Sequence, residues 1–118
     1  MSSQLGPRSE ILAVAYLEAH GYEILARNYR VNRKEIDIIA CRADTVAFVE
    51  VKARAGPGYG HGLEAITWKK RREIAHVAQV WIGRCGAPNL HYRFDAIAIT
   101  WHGSNHTLEH VEHAWLLP

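Results

Sequence analysis

Three side chains in two short stretches are of the kind that hydrolyses phosphate esters. Lys34-Glu35-Ile36-Asp37-Ile38-Ile39-Ala40 carries Asp37, and Ala47-Phe48-Val49-Glu50-Val51-Lys52 carries Glu50 and Lys52. Both stretches are rich in β-branched residues and alternate between faces, so they read as two strands joined by the turn Arg42-Ala43-Asp44-Thr45. A hairpin turning about Ala43 and Asp44 pairs positions that sum to about 87, which sets Asp37 opposite Glu50 and Glu35 opposite Lys52. Side chains in a strand alternate with period two, so residues 35 and 37 share a face with 50 and 52. Facing carboxylates repel across a ladder. The same face carries Ile39, Val46 and Phe48, so it covers core, and a like-charge pair at the end of a buried face needs a cation. Lys52 supplies one, and a divalent metal would supply a larger one. Two carboxylates and a lysine on one face are what a metal-dependent phosphodiesterase requires. The alternative is a buried ion network of Glu35, Asp37, Glu50 and Lys52, in which the net excess of acid leaves one charge poorly compensated.

The elements that must position these groups fit within 118 residues, enough for one domain with a modest core. An apolar fraction of 48% with 22% charged residues is ordinary for a soluble globular protein. No apolar run approaches the ~20 residues of a membrane span, and the opening Met-Ser-Ser-Gln-Leu-Gly-Pro-Arg has no signal-peptide core. Cys41 and Cys85 make no disulfide framework and lack zinc-site spacing, so both are expected to be reduced thiols of a cytoplasmic protein. The net charge of +2 conceals an asymmetry: residues 27–93 hold 13 of the 14 Lys and Arg against 6 acids. A basic middle containing the carboxylates suggests a polyanionic partner, most often nucleic acid, although a basic face also serves solubility alone.

In chain order, Pro7 to about His20 reads as a helix stopped by Gly21, with Glu10, Val14 and Leu17 on one side. Glu10 is either a first-turn acid favouring the helix dipole or an inward-pointing site residue. Tyr22–Val31 reads as a strand turning at Asn32-Arg33, followed by the central hairpin over about 34–42 and 46–54. Ala55 to Gly62 holds four glycines and a proline in eight residues, which predicts a mobile surface loop able to fold over the site, and it matches no phosphate-binding fingerprint. Leu63 to about Gly83 is the clearest helix, with an apolar stripe of Leu63, Ile66, Ile74, Val77, Ala78 and Trp81. Lys70 falls inside that stripe, either snorkelling past the core, the commoner case, or aimed at an anionic site. Leu90–Trp101 reads as another strand, with Asp95 a structural or supporting acid beside Arg93. The tail at 106–115 is expected to be a short strand turning into a helical piece. Its spacing of His106, His110 and His113 would place three imidazoles on one face if helical, but HExxH is absent and no cysteine is near.

The order α-β-β-β-α-β with a short tail predicts one layered α/β domain over 1–118, a mixed sheet flanked by helices. This layout resembles the restriction-endonuclease-like core, and Asp37…Glu50-Val51-Lys52 resembles its PD-(D/E)xK pattern without the proline before Asp37. The resemblance then becomes closer. Gly6-x-x-x-Glu10, Tyr16-Leu17, Gly21-Tyr22-x-Ile24-Leu25-x-x-Asn28-x-Arg30, Glu35-Ile36-Asp37-x-Ile39-Ala40, Phe48-Val49-Glu50-Val51-Lys52-x-Arg54, Glu64-Ala65-Ile66-x-x-x-Lys70 and Arg93-Phe94-Asp95 run in the order of the YraN family. Its members are small bacterial proteins of unassigned function, regarded as predicted endonucleases distantly similar to Holliday-junction resolvases. Ser9 and Lys34 stand where that family usually has glycine.

The resemblance implies that Asp37 and Glu50, with the Val51 carbonyl and Glu10 as further ligands, bind Mg²⁺ or Mn²⁺. Lys52 would orient or deprotonate the attacking water. Lys70 and the cluster Lys69, Arg71, Arg72 would position the phosphate backbone, with Arg30 and Arg54 on the flanks. Tyr59 and Trp68 would stack on unpaired bases or simply pack. The expected substrate is nucleic acid, most readily DNA in repair, recombination or processing. The alternatives are a non-catalytic nucleic-acid-binding domain and an adaptor for a DNA-processing protein, and a two-fold homodimer would suit branched DNA.

Overall fold

The computed structural model describes residues 2–55 and 66–115, with side chains from residue 5 onward. The glycine-rich loop expected to cover the site, with Tyr59 and Leu63, lies outside the described residues. Helix α1 (Ser2–Ala19) leads into β1 (Glu23–Val31), β2 (Lys34–Arg42) and β3 (Thr45–Ala55); α2 (Trp68–Cys85) then precedes β4 (His91–His102) and β5 (Asn105–Trp115). The sheet runs β1-β2-β3-β4-β5. Only β3 and β4 are parallel, joined by the crossover that contains α2. The mixed sheet flanked by helices is the one the sequence predicts, with β5 added as a fifth strand among the described residues, and it is compatible with a restriction-endonuclease-like core.

Two apolar layers hold the helices to the sheet. Ala13 and Leu17 of α1 pack on Ile38, Ala40, Ala47, Val49, Ile97 and Ile99. Ile74, Val77, Ala78 and Trp81 of α2 pack on Ile36, Ile39, Val46, Phe48 and Phe94. Gly21 ends α1 at φ 87°, a left-handed turn that glycine adopts without steric cost. Thr67 caps α2, its hydroxyl accepting the Lys70 N–H at 3.1 Å. The helix therefore starts at Trp68 rather than near residue 63.

The hairpin register follows the expected sum from Arg42↔Thr45 to Ile38↔Val49, and the ladder ends there. Beyond it the strict alternation of β2 breaks. Ile36 and Ile39 both join the α2-side layer, whereas Ile38 and Ala40 join the α1 side. The neighbouring strand does the same, with Ala26 and Tyr29 both on the α2 side. Between them Asn28 takes φ 50°, a left-handed value that Asn tolerates better than most residues. Glu35 consequently does not face Lys52. It pairs with Arg30 across the β1–β2 ladder and turns toward α1.

The tail is also corrected. It is one continuous strand, β5, carrying a register shift against β4 and a left-handed His113 at φ 52°. Strand geometry cannot put His106, His110 and His113 on one helical face. His106 packs beside the Trp101 ring and His110 binds Asp95, so the three imidazoles do not converge.

Candidate active site

Three elements bring carboxylates together where the β2–β3 ladder ends. One carboxylate oxygen each from Glu10 of α1 and from Glu35 and Asp37 of β2 lie within 4.8 Å of one another. Asn28 ties the cluster: its Nδ2 donates to Glu10 Oε1 at 2.9 Å and to Glu35 Oε2 at 3.1 Å. The Arg30 guanidinium donates to Glu35 Oε1 at 2.6 Å. A cleft of about 440 Å³ opens beside these groups, lined by Glu10, Asn28 and Glu35 and flanked by Arg27 and Arg30.

Asp37 belongs to both halves of the site. Its Oδ2 accepts the Val51 N–H at 2.8 Å, which fastens β2 to β3 just past the last ladder pair. Burial raises its pKa to about 8, the charge of Glu50 adds to the rise, and the Val51 N–H opposes it. Glu50 is 6% exposed and also raised, again chiefly by burial, against a hydrogen bond shared with the Asp37 carboxyl and the cations of Lys70 and Lys52. Two buried carboxyls this close cannot both ionise without more positive charge. Lys70 supplies part of it, with Nζ 3.7 Å from Glu50 Oε2. The other oxygen, Glu50 Oε1, is buried and accepts no hydrogen bond among the described residues. Glu10 is raised too, by burial and by the neighbouring acids, while Asn28 pulls it down.

These facts test whether the residues fit a metal. The donor set is all oxygen, suited to hard cations. Three carboxylate oxygens converge within 4.8 Å, and one buried carboxylate oxygen of Glu50 lacks a partner among the described residues. A divalent ion held by Asp37 and Glu50, with Glu10 beside them, would answer each point, so the residues fit.

The structure brings together Glu10, Asp37, Glu50, Lys70 and the Val51 backbone. Lys52 is half-buried on β3, close enough for its charge to favour ionised Glu50. Lys70 takes the anionic option rather than snorkelling. Its neighbours diverge: Lys69 and Arg72 are exposed, whereas Arg71 is half-buried with its guanidinium 5.9 Å above the Trp115 ring. Arg71 thus leaves the expected phosphate-contacting cluster, because its helix position points to the β5 end of the core. Arg54 is half-buried near the end of β3. Glu35, expected in an ion network with Asp37, Glu50 and Lys52, instead joins Glu10 and Asp37, and Asn28, which clamps them, is not among the residues the sequence singles out for the site. Asn28 in mid-strand was the available signal, since Asn favours left-handed backbone.

A second buried acid lies one strand over. Asp95 is fully buried, and its Oδ1 and Oδ2 accept from Arg93 Nε at 2.8 Å and Nη2 at 2.9 Å. The His113 N–H and His110 Nε2 complete its coordination. An ionised Asp95 only accepts, so His110 carries its proton on Nε2. Burial pushes Asp95 upward, but His110 and Arg93 outweigh it and hold the carboxyl below its usual range. Ser9, one of the two departures from glycine, is fully buried and accepts the Trp101 indole N–H at 2.9 Å.

No helix among the described residues is long and apolar enough to cross a membrane. The model of the uncharacterised protein family UPF0102 matches residues 9–99. A UPF0102 protein of Chlorobium phaeobacteroides (strain DSM 266) is 48% identical over 95 residues, covering 80% of this chain and 75% of that protein. One from Geobacter metallireducens is 41% identical over 116 residues, covering 98% and 95%. One from Rhodococcus jostii is 43% identical over 112 residues, covering 94% and 95%. Matches of this extent, on top of the ordered motifs around Glu10, Asp37, Glu50 and Asp95, place the chain in UPF0102, the YraN family.

Proposed function

We propose that this protein is a divalent-metal-dependent nuclease that hydrolyses phosphodiester bonds of nucleic acid, DNA in repair, recombination or processing. The observation that carries the reading is the pair of half-buried Asp37 and buried Glu50, both raised in pKa, with Glu50 Oε1 left without a partner among the described residues. A purely structural ion network is built the other way, with every buried charge answered. Asp37 and Glu50 would hold Mg²⁺ or Mn²⁺, with Glu10 and the Val51 carbonyl completing the set. When bound, the ion supplies Lewis-acid charge that lowers the pKa of a water and stabilises the phosphoryl oxygens.

The protein's own groups do the rest. The Val51 N–H fixes the Asp37 carboxylate in place. Asn28 orients Glu10 toward the cleft. Lys52 orients the attacking water, takes part in its deprotonation and stabilises charge developing on phosphate. The Lys70 ammonium beside Glu50 favours its ionised form. Arg30 beside the acid cluster, with the exposed Lys69 and Arg72 of α2, holds the phosphate backbone.

The test is cleavage of labelled single-stranded, duplex, flap and four-way-junction DNA with Mg²⁺, Mn²⁺ or EDTA, using wild type, Asp37→Ala and Lys52→Ala purified identically. Cutting that needs metal and disappears in both variants is the expected result. Cutting that survives the substitutions belongs to a contaminant. No cutting on any substrate overturns the reading and leaves a binding or adaptor role.

A further inference from the structure

On the outer flank of α2, Lys34, Trp68, Lys69, Arg72, Glu73 and His76 line an open groove of about 460 Å³. Trp68 is 59% exposed, while Trp81, Trp101 and Trp115 are each at most 7% exposed. A large ring left in water loses the burial that fixes most tryptophans in a fold. Here it stands among the permanent cations Lys34, Lys69 and Arg72, answered in the groove by the single acid Glu73.

Two elements carry residues of both the groove and the site. On β2, Lys34 lines the groove and the next residue, Glu35, belongs to the acid cluster. On α2, Lys69 and Arg72 line the groove while Lys70 pairs with Glu50.

We infer that this groove binds an unpaired stretch of a nucleic-acid strand, with one base stacked on Trp68 and the flanking phosphates on Lys34, Lys69 and Arg72. Only the claim that this strand is the substrate's own, running past the cut, rests on the nuclease reading. A duplex meets the cations but keeps its base faces stacked inside the helix. An acidic peptide also meets them but brings no planar ring to cover the indole. Unpaired bases satisfy both features, because every base has a π-face and every link a phosphate.

The test is binding, measured in EDTA so that no cleavage is needed. The probes are an oligo(dT) strand and a blunt duplex of about 20 nucleotides, with polyglutamate as the acidic control. The readouts are fluorescence polarisation and intrinsic tryptophan quenching, which reports Trp68 because the other three indoles are buried. Trp68→Ala is expected to weaken oligo(dT) binding about 5-fold or more and to abolish quenching, with duplex affinity unchanged. Trp68→Phe keeps a ring and is expected to retain most of the affinity. Replacing Lys34, Lys69 and Arg72 together by Ala is expected to reduce the log–log salt slope for oligo(dT) by about 2.

Equal binding of oligo(dT) by wild type and Trp68→Ala overturns the inference, as does equal weakening toward strand and duplex. Polyglutamate that quenches Trp68 as well as oligo(dT) does overturns it in favour of an acidic protein partner. Trp68-dependent strand binding without metal-dependent cleavage supports the inference and removes the nuclease. Cleavage with strand binding indifferent to Trp68 does the reverse.

Discussion

Two buried acid centres sit on neighbouring strands, with Val49 of β3 beside Asp95 of β4 and Glu50 beside Ala96. They are built in opposite ways. Around Asp95, both carboxylate oxygens are taken by Arg93, His110 and the His113 N–H, and its pKa is lowered. Around Asp37 and Glu50, one carboxylate oxygen lacks a partner among the described residues, and both pKa values are raised. The two centres thus differ in chemistry according to how completely their charge is answered. A finished network holds the fold, whereas an unfinished one is left to be completed by something that binds.

The largest effect expected from this contrast is on stability. Asp95→Ala leaves Arg93 and His110 facing a void in the interior and should cost about 3–5 kcal/mol in urea unfolding. Asp37→Asn should do the opposite. It removes a buried charge that is hard to ionise, so stability at pH 8 should rise by on the order of 1 kcal/mol, while metal-dependent cleavage is lost. A loss of stability as large as that of Asp95→Ala would show the two centres to be alike and sink the comparison.

Next is Lys52→Ala, expected to lower the cleavage rate by about 10²–10³-fold with little change in the unfolding midpoint. A rate unchanged by this substitution would remove Lys52 from the chemistry.

The pH dependence separates the centres by sign. Asp95 has its pKa lowered on folding, so its contribution is present above the unfolded carboxyl value of 3.8 and is lost as pH falls through the lower folded value. Asp37 has its pKa raised, so the folded state holds the extra proton. Its contribution therefore declines as pH rises from 3.8 toward about 8. Urea titrations across this range should show a falling slope in wild type that Asp37→Asn flattens. Added Mg²⁺ or Mn²⁺ should stabilise wild type more at pH 8 than at pH 5, since the ion competes with that proton.

The smallest effect belongs to Arg30→Ala. Arg30 is 67% exposed, so loss of its pair with Glu35 should change stability by less than about 1 kcal/mol. A larger loss would mean that the acid cluster is held as tightly as Asp95.

Much of this was legible in the residues. The alternation of 34–42 and 46–54 gave the hairpin and its register as far as Ile38↔Val49. Of the expected stripe, Ile74, Val77, Ala78 and Trp81 form the buried face of α2, and Ile66 is buried just ahead of it. The β5 tail was misread because histidines spaced by three and four mimic a helical period, and its only sheet partner, β4, lies across a tight turn. Glu35 was misplaced because period-two reasoning assumes an unbroken strand, and left-handed Asn28 breaks the phase of both β1 and β2. Arg71 was grouped with its neighbours by sequence, although successive helical residues point in different directions.

By itself, then, the sequence determined the order of α1, the first four strands and α2 and singled out Asp37, Glu50, Lys52 and Lys70 as candidates, because periodicity and residue type act locally. Which acids share a site was decided only in three dimensions. Glu10 comes from a helix 27 positions before Asp37, and Lys70 from another helix 20 positions after Glu50. Charge compensation is a sum over neighbours in space, and no local pattern records that Asp95 is answered while Glu50 is not.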